Sequence, residues 1–137
     1  MDSQRDLVER LLPEARQVSK RAWAPYSGVH VGAVAVGAGG ATYRGCNVES
    51  ASYGLTQCAE RNALAAAIAD GQKPGDIRDL LIFASGFAVL SPCGACRQVI
   101  SELMSQDAVI VACSDEHPPK TWTVPELFPD PFSLDNA

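Results

Sequence analysis

Two apolar runs constrain this chain more than any other feature: Leu80-Leu81-Ile82-Phe83-Ala84 and Ala108-Val109-Ile110-Val111-Ala112-Cys113. The first does not alternate polar with apolar side chains, so it reads as a strand buried on both faces, and the second is another apolar strand. A sheet covered on both sides needs helices above and below it. The segment between the runs supplies one: SPCGACRQVISELMS opens on Ser-Pro and carries Val99, Ile100, Leu103 and Met104 at helical spacing. A strand–helix–strand order favours parallel pairing.

The rest of the chain supplies partners for that unit. Residues 4–23 place Leu7, Val8, Leu11, Leu12, Ala15, Val18 and Ala22 at amphipathic-helix spacing, with Pro13 as a kink point. The breaker cluster Ala24-Pro25-Tyr26-Ser27-Gly28 ends this helix. VHVGAVAV then reads as a strand, and GAGG as a hairpin turn into ATYRGCNVE. GAGG is no phosphate loop, because it has neither GxGxxG nor GK[ST] spacing and no helix follows it. After a polar loop from Ser50 to Gln57, CAERNALAAAIADG reads as a helix stopped by Gly71. FAVLS is expected to pair with or continue the strand before it, and the proline-rich tail from Asp115 to be mostly irregular with short local elements.

The predicted fold class is α/β: a three-layer α/β/α sandwich with a mixed central sheet of about five strands. At 137 residues and 47% hydrophobic content, residues 1–137 are expected to form a single domain with a substantial core. The longest apolar runs, such as ALAAAIA, fall far short of the ~20 residues needed to span a bilayer. The chain therefore reads as soluble and cytoplasmic, with no membrane partner. A net charge of −5 opposes a nucleic-acid polymer as ligand, since phosphate binding is driven by Lys and Arg. A small neutral molecule is easier to accommodate.

Five cysteines, an odd number in a chain large enough to fold without staples, point to metal or redox use before disulfides. Cys58 opens one predicted helix, and Cys93 and Cys96 open another. Unsatisfied N–H groups and the macrodipole favour a thiolate at such ends. Three thiolates suit Zn2+, and a three-ligand site leaves the fourth position open for chemistry. Glu60, two positions from Cys58, can then exchange a proton with a water without binding the metal. Arg61 and Arg97, beside Cys58 and Cys96, can hydrogen-bond the thiolates and balance their charge. Alone, the Cys93-Gly-Ala-Cys96 pair serves redox or structural roles as well as zinc, and a first-turn glutamate usually just complements the helix dipole. Cys46 and Cys113 read as buried small hydrophobes within strands. His30 and His117 lack ligand-like spacing.

The conjunction of Cys-Ala-Glu with a later Pro-Cys-Gly-Ala-Cys is the three-cysteine form of the zinc-deaminase signature. With Pro25-Tyr26-Ser27, Val31-Gly32-Ala33, Gly45-Cys46-Asn47-Val48-Glu49, Ala51-Ser52-Tyr53-Gly54-Leu55-Thr56, Cys58-Ala59-Glu60-Arg61, Ser91 to Val99 and Glu126-Leu127-Phe128-Pro129, the chain resembles the small, homotetrameric-type cytidine deaminases along nearly its whole length. The resemblance implies hydrolytic deamination of cytidine and 2'-deoxycytidine in pyrimidine salvage, with one Zn2+ per subunit and active sites near the interfaces of a homotetramer. Cys58, Cys93 and Cys96 match the zinc ligands and Glu60 the proton shuttle. Asn47 and Glu49 match ribose contacts, Ala59 a backbone contact to the base, and Phe132 an aromatic that reaches a neighbouring subunit's site. Two positions depart from the family pattern: Val29 stands where a phenylalanine packs on the nucleoside, and Ser50 where an asparagine is usual. Val29 motivates a variant reading in which the substrate is a 4-N-substituted cytosine nucleoside. Remoter readings are a structural zinc protein closed by Cys46 as fourth ligand, and a nucleic-acid editing deaminase, which the acidic balance opposes.

Overall fold

The computed structural model describes residues 2–86 and 89–134. Helix α1 (Asp2–Ser19) leads into strand β1 (Val31–Val36), which turns through a short 3-10 segment at Ala38–Gly40 into β2 (Thr42–Cys46). Helix α2 (Ala59–Ala69), strand β3 (Ile77–Ala84), helix α3 (Gly94–Leu103) and strand β4 (Met104–Cys113) follow, and the tail forms β5 (Lys120–Thr123) and a one-turn helix α4 (Val124–Leu127). The five strands make one mixed sheet in the order β2-β1-β3-β4-β5. Among these five strands β3 and β4 pair in parallel, in the register Leu81↔Val111. β1 pairs antiparallel with both β2 and β3, and β4 with β5.

Strand alternation divides the core between the two faces. Leu81 and Phe83 of β3, Val34 and Val36 of β1, and Val111 and Cys113 of β4 meet Leu7, Leu11 and Ala15 of α1. Their neighbours Leu80, Ile82, Ala33, Ala35 and Ile110 face the other way, onto Ala59, Ala63, Leu64 and Ala67 of α2 and Cys96 and Ile100 of α3. Each fully buried leucine or isoleucine in these layers contributes about 1.5–3 kcal/mol. The α/β/α sandwich read from the sequence is thus the observed architecture.

Two expectations need correction. The first helix ends at Ser19 rather than near residue 23, and Pro13 sits inside it without ending it. Met104, read as helical, is the first residue of β4, because it is extended at φ −96°, ψ 155° and pairs with Ile77 of β3. The tail is mostly irregular with short local elements, as its prolines suggest, and one of these elements, Lys120–Thr123, closes the sheet as an edge strand. Of FAVLS, residues 87–88 lie outside the described residues, and 89–91 adopt no strand.

A single glycine sets the distance between the sheet and the helix that carries Cys58. A Cβ on Gly45 in β2 would lie 2.5 Å from both the Ala59 carbonyl oxygen and the Ala63 nitrogen, so only glycine lets the start of α2 pack this closely. Asn62 locks the same contact by donating from Nδ2 to the Cys46 carbonyl at 2.8 Å.

Candidate active site

Parallel pairing of β3 and β4 puts α3 on the same face as α2, and the starts of the two helices converge there. Cys58 is the N-cap of α2 and Cys93 the N-cap of α3, both extended and neither making a side-chain capping bond. Cys96 follows in the first turn of α3 and is fully buried. The Sγ atoms of Cys58 and Cys93 lie 3.8 Å apart and those of Cys93 and Cys96 3.5 Å apart, with all three within 4.8 Å of one another. All five cysteines are free thiols.

This donor set fits a zinc ion. Tetrahedral ligation at Zn–S distances of about 2.3 Å requires sulfurs roughly 3.8 Å apart, and the two separations from Cys93, 3.8 and 3.5 Å, lie close to that. Cys46 lies outside the cluster and so gives no support to a closed four-cysteine site. His30 lines a separate cavity with Arg16, Lys20 and Phe83, and the backbone N–H of His117 caps the Ser114 hydroxyl.

The thiols are electrostatically unequal. Hydrogen bonding from the Cys96 thiol, reinforced by the Arg61 guanidinium, pulls Cys58 down to about 5. The Cys96 thiol is pushed up, by its bond to Cys58 and by burial. The Arg61 Nη2 donates to Cys58 Sγ and to the Thr56 carbonyl, each at 3.3 Å, so this arginine stands where the sequence put it. Arg97 does not. Its Nε donates to the Pro92 carbonyl at 2.8 Å, its Nη1 to the Leu127 carbonyl at 2.6 Å and its Nη2 to the Ser91 hydroxyl. These three bonds engage each of its three nitrogens in bracing the segment before Cys93 against the end of α4, rather than in a bond to a thiolate.

Glu60 is buried, 7% exposed, and lines a cavity of about 210 Å3 together with Cys58 and Cys93. Burial is the main cause that pushes its carboxyl up, and the neighbouring Cys58 charge adds to it. A carboxyl shifted this way holds a proton more readily near neutral pH, as a group that both takes and returns one must.

The same cavity is lined by Val29, Val31, Asn47, Glu49, Ala59, Ile82, Leu90 and Ser91. Asn47, 8% exposed, accepts from the Val31 N–H at 2.8 Å and donates to the Val29 carbonyl at 2.7 Å. Glu49 Oε1 accepts from the backbone N–H groups of Tyr26 and Ser27, and Oε2 from the Ser27 hydroxyl. Phe132 is 70% exposed and does not line this cavity; its carbonyl accepts from Gln98 Nε2 at 3.0 Å on the outer side of α3. Ser50 caps the Ser52 N–H with its hydroxyl. A second cavity of about 180 Å3 shares Ser27, Glu49 and Thr56 with the first and is bordered by Tyr26 and Tyr53, whose rings meet edge to face.

Sequence reasoning did not single out Ser27, Thr56, Leu90 or Ser91 as site residues. For Ser27 a signal existed: a hydroxyl in a Pro-Tyr-Ser-Gly breaker cluster caps backbone or carboxylate groups by habit. Leu90 and Ser91 reach the cavity only through the path of an irregular segment, which no local pattern encodes.

Three converging thiols beside a buried carboxylate, in a cavity walled by apolar side chains, define a zinc-dependent hydrolytic enzyme. The chain belongs to the cytidine and deoxycytidylate deaminase family: residues 5–113 match the model of the "cytidine and deoxycytidylate deaminase zinc-binding region". It is 36% identical over 129 residues to a cytidine deaminase of Sporosarcina psychrophila, covering 94% of this chain and 93% of the relative. Its identity to a cytidine deaminase of Halalkalibacterium halodurans is 38%, covering 93% and 96%. The fold superposes on the crystal structure of cytidine deaminase from Burkholderia pseudomallei with a TM-score of 0.86 and 39% identity, covering 90% of this chain and 98% of that one. Among the described residues, no helix is long and apolar enough to cross a membrane.

Proposed function

We propose that this protein hydrolyses the 4-amino group of free cytidine and 2'-deoxycytidine, releasing ammonia and the uracil nucleoside. The observation that carries this reading is the cluster of three thiols, two of which, Cys58 and Cys93, line the same cavity as the buried Glu60. Cys58, Cys93 and Cys96 would hold a zinc ion, which when bound would supply the electrostatic pull that acidifies a water and readies it as a nucleophile. Glu60 takes the proton of the attacking water and delivers it to ring N3 as the oxygen adds to C4. It then takes the remaining proton from the new C4 hydroxyl and carries it to the departing amine, so that the C4–N4 bond breaks, the C4 carbonyl forms and ammonia leaves. Val29, Val31, Ile82 and Leu90 wall the base from solvent. The N–H of Ala59, in the first turn of α2 where helical N–H groups lack intrahelical partners, donates to the base carbonyl.

The sugar meets Asn47 and Glu49. A carboxylate offers about four lone-pair sites, and the Tyr26–Ser27 turn occupies three of those on Glu49. One acceptor site remains on Glu49, and one N–H remains on Asn47. Together they suit a single hydroxyl that donates to one and accepts from the other, which supports use of both the ribo- and the 2'-deoxyribonucleoside.

Trp23, Tyr26, Tyr53 and Leu55 are exposed, Tyr26 and Tyr53 bordering the cavity that adjoins the site, and Phe132 projects free of its own chain's site. Both features support a homotetramer in which Phe132 enters a neighbour's site, a state that light scattering measures directly. We place the enzyme in the cytoplasm, in pyrimidine salvage, with residues 1–137 as a single domain.

Metal content measured together with the loss of cytidine absorbance tests the reading. About one zinc per chain and turnover are expected; Glu60→Gln should keep the zinc and lower kcat by about 10²–10⁴-fold. A zinc-loaded protein that leaves cytidine unchanged would overturn it. A second reading, favoured by the aliphatic Val29 in the cavity wall, extends the scope to 4-N-substituted cytosines. Val29→Phe should then lower the rate on the substituted substrate relative to cytidine, and equal rates before and after the substitution remove Val29 from the determinants of scope.

A further inference from the structure

We propose that Ser27 is a positioning residue for Glu49, its hydroxyl fixing the orientation of the carboxylate whose remaining acceptor site receives a substrate hydroxyl. The inference rests on the reading that Glu49 binds the sugar and goes beyond it, because it assigns the geometry of that contact to a residue on a different segment of the chain. Glu49 extends from the stretch after β2, whereas its donors all come from the turn between α1 and β1.

The Tyr26 and Ser27 N–H groups reach Oε1 at 2.9 and 3.1 Å, and the Ser27 hydroxyl reaches Oε2. The two backbone donors alone would hold Oε1 and leave the carboxylate free to swing about that oxygen. The hydroxyl removes this freedom by engaging the second oxygen. The Ser27 Oγ is itself oriented, since it accepts from the Val29 N–H at 3.0 Å. Its one proton is therefore directed to Glu49, and the same bond ties the position of Val29 in the cavity wall to the orientation of the carboxylate. Ser27 borders both cavities that meet at Glu49. Asn47, two positions earlier, bonds the same incoming segment at Val29 and Val31, so strand end and turn hold each other from two points.

The electrostatic consequence has the same origin. The Ser27 hydroxyl bond is the main cause that holds the Glu49 carboxyl below the usual carboxylate range, with help from the Tyr26 and Ser27 N–H groups and the His30 charge. A depressed value keeps Glu49 an acceptor-only anion as pH falls. Without the hydroxyl its pKa rises, and the anion is lost at a higher pH.

The test is a double-mutant cycle on the zinc-loaded enzyme, with KM and kcat for cytidine measured for Ser27→Ala, Glu49→Gln, the double variant and Ser27→Thr. Ser27→Ala is expected to raise KM by about tenfold, the scale of one hydrogen bond to a charged group, with a smaller effect on kcat. It should also move the acid limb of kcat/KM to higher pH. In the Glu49→Gln background the same substitution should change KM by less than about twofold, since residues acting through one contact are not additive. Ser27→Thr, which keeps the hydroxyl, should restore most of the loss. If Ser27→Ala costs as much with Glu49→Gln as without it, or leaves KM and the acid limb unmoved, the positioning role is wrong. If Glu49→Gln itself leaves KM unchanged, the sugar contact fails and the positioning role falls with it.

Discussion

The starts of α2 and α3 are built differently from the start of α4. The one-turn α4 carries a complete capping box: the Thr123 hydroxyl accepts from the Glu126 N–H, and the Glu126 carboxylate accepts from the Thr123 N–H at 2.8 Å. The longer α2 and α3, of 11 and 10 residues, begin with cysteines that cap nothing. Both backbones have the extended conformation an N-cap needs, so the difference lies in side-chain chemistry alone. A soft sulfur in place of a hard oxygen leaves the first N–H groups and the thiolate available to something outside the helix. Where a helix only has to hold the tail, its end is satisfied internally; where two ends meet at a reaction centre, they are left open.

The largest effect should come from making a catalytic helix start resemble the structural one. Cys93→Ser places a strong N-cap residue at the start of α3 and removes one sulfur. Zinc content and turnover should both collapse, while the metal-free protein melts at or above the temperature of the metal-free parent. A fall in that melting temperature would show that the cysteine contributes to the fold apart from the metal. Arg61→Gln should act at an intermediate level. Removing the partner of Cys58 Sγ should weaken metal retention or activity by about 10–100-fold, as expected of groups that support metal ligands, measured as the rate of zinc release to a chelator. At the small end, Thr123→Ala breaks only the capping box, costs about 1 kcal/mol of stability on thermal or denaturant unfolding, and leaves zinc content unchanged.

The sequence made some of these features readable and hid others, for physical reasons. β3 and β4 announce themselves because burial on both faces demands unbroken apolar runs. β5 is hidden because an edge strand with one partner needs no such run, and its Lys120 and Thr121 are exposed among prolines. Met104 deceived because its spacing from Ile100 fits the face of α3, although the chain had already turned extended to pair with Ile77. At the site, the thiols and Glu60 were legible because ligand chemistry needs particular residue types at helix starts. Arg61 and Arg97 looked equivalent in sequence, each following a cysteine in a first turn. Only the path of residues 91–97 past the end of α4 shows that Arg97 braces the backbone while Arg61 faces sulfur. Ser27 lies 22 residues from its carboxylate partner, a separation that no local pattern bridges.

The convergence of Cys58 with Cys93 also sets an order of events as the chain folds. The two sulfurs belong to helices separated by β3, and their approach depends on α2 docking against Gly45 and on β3 finding its parallel partner β4. Both are contacts between distant parts of the chain, which form late because loop closure must be met before they repay it. Metal capture therefore becomes a reporter of the last stage of folding. In a refolding experiment started in the presence of zinc and a colorimetric chelator, tight zinc uptake should lag behind the helical signal and coincide with the recovery of full sheet structure.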